Sequence, residues 1–98
     1  MLEELTRKIG QRVDGKEALG FNVSIDLGEA GTIFISGASA PIEVGNDAGN
    51  ADTTFVMSAD DLQAMLAGEL QPMNAYMQGK LRVEGDLAKA MQVGSLFN

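Results

Sequence analysis

The chain has no cysteine, no histidine and no tryptophan, and its 98 residues include only two prolines and one tyrosine. Without cysteine there is no disulfide, no thiolate nucleophile and no thiolate metal site. Without histidine the commonest general base and the commonest metal ligand are both missing. Long apolar runs are lacking too, and none approaches the roughly 20 residues that cross a bilayer. Glu3, Glu4, Arg7 and Lys8 break up the start of the chain, so no secretory leader is expected and a cytoplasmic setting is. Cations are scarce: seven Lys and Arg against 14 Asp and Glu leave a net charge of −7. Such a chain is repelled by phosphate backbones, so nucleic acid is not an expected partner.

Motifs of group-transfer chemistry are also missing. There is no Gly-x-Gly-x-x-Gly, no P-loop and no Gly-x-Ser-x-Gly. Asp60 and Asp61 are adjacent, so on a helix their side chains diverge by about 100° and cannot flank a substrate as an acid/base pair. None of the serines has a partner base. Asn46, Asp47, Asn50 and Asp52 have the composition of a calcium loop, but their spacing fits no EF-hand. Neither catalysis, a cofactor nor a metal is expected.

What is present is a set of legible local signals. Leu2, Leu5, Ile9 and Val13 mark one side of a helix over residues 1 to about 14, with glutamates early and cations late, as the helix dipole favours. Arg7, Lys8, Arg12 and Lys16 fit either a solvated face or a contact for anionic lipid heads or acyl-CoA phosphates. Residues 21–27 alternate apolar and polar, which predicts a strand with one wet face. Gly28 to Gly31 read as a hairpin loop and 32–36 as the return strand. Residues 40–44 form a short edge strand that tolerates Pro41 at its start. A polar loop leads to a fourth strand over 53–57.

Ser58 then caps a helix carrying Leu62, Met65 and Leu66 on one face, and Gly68 stops it. Pro72 opens a second short helix with Met73, Tyr76 and Met77 at the same spacing, ended by Gly79. A fifth strand over 80–84 turns Leu81 and Val83 inward. Asp86 caps a last helix in which Leu87, Ala90 and Met91 share a face. Leu96 and Phe97 form an apolar tail that either folds back as a lid or covers the core edge. The order predicts one α+β domain, residues 1–98, with a five-stranded sheet and helices on one face.

Five of the six methionines, Met57, Met65, Met73, Met77 and Met91, fall in the second half on faces expected to turn inward. Methionine is unbranched and polarizable. These residues fit ordinary core gaps or the adaptable wall of an apolar cavity, and composition alone favours the core gaps.

The run Asp52-Thr53-Thr54-Phe55, Met57-Ser58-Ala59-Asp60-Asp61-Leu62, Leu66-Ala67-Gly68-Glu69-Leu70-Gln71-Pro72 and Ala75-Tyr76-Met77-Gln78-Gly79-Lys80-Leu81-Arg82-Val83-Glu84-Gly85-Asp86 resembles the sterol carrier protein-2 (SCP2) lipid-transfer family. The likeness is strong over the last half, and the first half agrees in the order of its elements. It implies a mostly antiparallel, mixed sheet in which strands 4 and 5 lie beyond strand 1. It also implies an apolar tunnel between sheet and helices holding a fatty acid, fatty acyl-CoA or sterol-like ligand. Phe55, Met57, Leu62, Met65, Leu66, Met73, Tyr76 and Met77 are the candidate liners, with Tyr76 and Gln78 placed to meet a polar head. The chain does not end in Ser-Lys-Leu, the peroxisomal address that eukaryotic members often carry, which favours a bacterial or plain cytosolic setting. The alternative is a non-catalytic accessory or scaffold module, partner-binding or dimerising, in a lipid or quinone pathway. A homodimer and a transient membrane contact both stay open.

Overall fold

The structure, a computed structural model, describes residues 1–94. The chain runs α1 (Leu2–Val13), β1 (Val23–Asp26), a 3₁₀ turn (Gly28–Ala30), β2 (Thr32–Ser36), β3 (Glu43–Gly45), β4 (Thr53–Val56), α2 (Ala59–Leu66), α3 (Pro72–Met77), β5 (Arg82–Gly85) and α4 (Leu87–Val93). The strands form one sheet in the order β3-β2-β1-β4-β5. The β1–β4 pair is parallel and the other three pairs are antiparallel. This is the expected α+β fold with strands 4 and 5 beyond strand 1.

Alternation along the strands separates two faces. Val23 pairs with Ile35 and Thr53, and Ile25 with Ile33 and Phe55, so these side chains form the buried inner face. Ser24, Phe34, Thr54 and Glu84 sit in register on the outer face. There the polar crossover loop passes close over Phe34: a β-carbon on Gly49 would come within 3.0 Å of the ring. β3 begins at Glu43, three residues later than alternation predicts. Pro41 has no N–H to give the ladder, and pairing starts only beyond it.

α1 buries Leu5, Ile9 and Val13 against β2, β3 and α2, with Arg12 donating to the Leu66 carbonyl. α4 lies over β4 and β5. α2 starts at the predicted cap, with the Asp61 N–H donating to Ser58 Oγ at 3.1 Å, and the chain leaves it through Gly68 at φ +79°. Met57, Leu62, Met65 and Leu66 are all buried in the common core.

Candidate functional site

On the inner side of the β4–β5 edge the helices of the described residues leave an opening. Phe55 of β4 pairs across the ladder with Val83 of β5. Leu81, just before β5, adds a third apolar side chain to this floor. One wall comes from α3 and its approach, Gln71, Pro72, Met73 and Tyr76. The other comes from Leu87, Ala90, Met91 and Gly94 on and beyond α4. Between them lies an open hollow of about 530 Å³. Among the described residues no charged side chain lines it, and Gln71 and Tyr76 alone bring polar side-chain groups to its surface.

Each wall has a local cause. Pro72 takes the first position of α3, and α3 buries only Ala75, a residue small enough to let the helix sit close. The Ala75 carbonyl accepts from the N–H groups of both Lys80 and Leu81, at 2.9 and 3.2 Å, which turns the chain sharply into β5. α4 is capped by Asp86, whose carboxylate accepts from the Lys89 N–H at 3.1 Å. Lys89 Nζ lies 3.9 Å from both Asp52 and Asp86 and 5.7 Å from the centroid of the Phe21 ring. These contacts hold the first turn of α4 against the sheet end and fix that wall.

The structure divides the residues predicted from sequence into three groups. Phe55, Met73 and Tyr76 come together at the hollow. Met57, Leu62, Met65 and Leu66 are instead closed into the core beneath α1 and α2. Met77 and Gln78 are exposed and outside the lining. The expectation that the methionines turn inward holds for Met57 and Met65, at 5% and 0% exposure. It fails for Met73, Met77 and Met91, at 60%, 77% and 67%. α3 buries the opposite side from the predicted stripe because Ala75 is the face that meets the core. Sequence reasoning did not assign Gln71, Leu81, Val83, Leu87, Ala90 and Met91 to a site. The signals were present, as inward alternation at 81 and 83 and a shared helix face at 87, 90 and 91. Leu96 and Phe97, read as a lid or cover, lie outside the described residues.

A second, smaller hollow of about 210 Å³ sits by the β2–β3 edge around Phe34 and Val44. Glu43 and Asp47 share it, so it offers no continuous apolar wall.

Residues 3–98 match the sequence profile of the SCP-2 sterol transfer family. The chain belongs to that family. Human stomatin-like protein 1 is 39% identical over 79 residues, which cover 79% of this chain and 20% of the relative. The chain thus spans about a fifth of that protein's length. Among solved structures, the crystal structure of sterol carrier protein 2 like 2 from Aedes aegypti superposes with a TM-score of 0.73 at 20% identity, covering 96% of this chain and 94% of the other. The solution structure of palmitated SCP2L2 from the same organism gives 0.66 at 18% identity, over 99% and 90%. The UbiJ-SCP2 ubiquinone synthesis protein gives 0.64 at 20%, over 96% and 77%. At these identities the superpositions establish a shared fold. Among the described residues, no helix of this SCP-2 family member is long and apolar enough to cross a membrane.

Proposed function

We propose that this domain carries a lipid with its apolar tail in the hollow between α3, α4 and the β4–β5 edge. The observation that carries the reading is a space of about 530 Å³ with no charged lining residue among the described residues. Small-molecule sites of this kind are concave, mostly apolar and usually about 300–1,000 Å³ in volume, with a few polar groups that orient the ligand. Burial contributes about 0.8 kcal/mol per CH₂ group, so a tail of about a dozen carbons supplies enough gross free energy to offset the cost of association. Fatty acid, fatty acyl-CoA and sterol-like compounds are the ligand classes that suit it. The palmitated relative supports a fatty acid first. Tyr76 and Gln71 are the groups that would meet a carboxylate or hydroxyl at the mouth. No bond is made or broken in this role.

Native mass spectrometry of freshly purified protein tests the reading. A co-purified lipid, or a one-to-one adduct with added fatty acid, supports the carrier. An empty protein that rejects fatty acid and instead forms a dimer or a stable protein complex supports an accessory role. The fold shared with a ubiquinone synthesis protein keeps that role as the second reading.

A further inference from the structure

We propose that Met73 and Met91 are a peroxide-sensitive modification site, and that their conversion to methionine sulfoxide weakens the hollow's hold on an apolar chain. The inference rests on the lipid-carrier reading above and adds a chemical control to it. Three observations carry it. The chain has neither cysteine nor tryptophan, so its thioethers are the side chains most readily oxidised. The six methionines fall into two classes, with Met57 and Met65 buried and Met1, Met73, Met77 and Met91 exposed. Of the exposed four, Met73 on α3 and Met91 on α4 line the hollow from opposite walls, while Met1 and Met77 lie outside it.

Hydrogen peroxide is the oxidant. A sulfur lone pair attacks one peroxide oxygen and the S–O bond forms as the O–O bond breaks. The departing hydroxide takes the proton released from the transferred oxygen and leaves as water. Sulfur gives up two electrons and peroxide gains them, so the step balances without a metal or cofactor. Each sulfoxide places a strong polar acceptor where the wall was apolar. Among the described residues, Gln71 and Tyr76 alone bring side-chain donors to this lining, so where neither reaches a new oxygen an incoming tail must strip water from it without replacing it. Two such groups in the lining, one on each wall, weaken binding by about tenfold.

The test treats the whole chain with graded hydrogen peroxide, with and without saturating hexadecanoic acid. Peptide mass spectrometry then maps sulfoxide at each methionine. Hexadecanoic acid affinity and far-UV circular dichroism are measured before and after. The expected result is oxidation of Met73 and Met91 well ahead of Met57 and Met65. The fatty acid should slow oxidation at Met73 and Met91 and leave Met77 unchanged. The oxidised protein should keep its dichroism spectrum and bind about tenfold more weakly. The double variant M73L/M91L should lose this response to peroxide, and M77L should retain it. Oxidation of Met73 and Met91 no faster than of the buried pair overturns the proposal. So does unchanged affinity after oxidation, loss of the folded spectrum, or a response that survives in M73L/M91L. Failure of the carrier reading is seen separately, as no fatty-acid binding before peroxide is added, and it removes this proposal as well.

Discussion

Phe55 and Val83 stand directly across the β4–β5 ladder, and together they form part of the floor of the apolar hollow. β5 is the edge strand on this side of the sheet. Phe55 is buried, whereas Val83 is only partly so. Val83 packs against the core from its edge, so a change there alters the floor at a smaller cost to the core than one at Phe55. Val83→Glu places a carboxylate where an acyl tail would rest, and desolvating it on binding is costly. Fatty-acid affinity is expected to fall by at least about tenfold, while the loss of stability in urea stays smaller than for the same change at Phe55. Titration calorimetry and urea unfolding on the same preparation check both halves.

Of the three exposed methionines of α3 and α4, Met77 and Met91 separate the hollow from the surface beside it. Met91 lines the hollow and Met77 does not, although Met77 is the more exposed. Met91→Lys should weaken fatty-acid binding by about tenfold, and Met77→Lys should leave it within about twofold, as an ordinary surface change does. A displacement assay with a fluorescent fatty acid distinguishes them. Equal losses in the two variants would move the ligand outward along α3.

Gly85 joins β5 to α4 in a conformation that other residues avoid. Its φ is +89°, and a β-carbon there would stand 2.6 Å from the Asp52 carbonyl oxygen. That same oxygen accepts from the Asp86 N–H at 3.1 Å. Gly85→Ala must displace backbone, so it is expected to destabilise the fold by about 2 kcal/mol or more. Urea unfolding measures the loss, and a change below about 0.5 kcal/mol, the range of ordinary surface substitutions, would contradict this reading of the junction.

Two helix caps should cost alike in stability and differ in their effect on binding. Ser58 Oγ and the Asp86 carboxylate each accept from an N–H in the first turn of α2 and α4, respectively. Replacing either with alanine is expected to cost about 1 kcal/mol. Only α4 is a wall of the hollow, and Lys89 also leans on Asp86. Asp86→Ala should therefore reduce fatty-acid affinity several-fold, and Ser58→Ala should not. Paired thermal melts and fatty-acid titrations check this.

Local order was legible because its causes are local. The side-chain oxygens at Ser58 and Asp86 announce the helix starts, and the left-handed glycines at 68 and 79 announce the stops. Strict alternation from Phe21 to Leu27 puts Val23 and Ile25 on the inner face. The parallel pairing of β1 with β4 is different. Periodicity does not contain it, and only the resemblance to the SCP2 family supplied the strand order. The hollow was legible in part. A stripe at i, i+3, i+4 says that a helix has an apolar face, but not what covers that face. Leu62, Met65 and Leu66 meet α1 and the core and are closed off. Met73, Tyr76 and Met77 repeat the spacing on a helix of six residues whose only buried side chain is Ala75. The same pattern thus gives core on α2 and rim on α3, and the difference lies in packing far away in sequence.

The most direct test of the central claim is a filtered nuclear Overhauser experiment on a complex of the protein with ¹³C-labelled fatty acid. The hollow between α3, α4 and the β4–β5 edge predicts contacts from the acyl chain to methyl groups of Leu81, Val83, Leu87, Ala90, Met73 and Met91. Contacts confined to Met57, Leu62 and Met65, or a chain with no contact to any of these methyl groups, would contradict it.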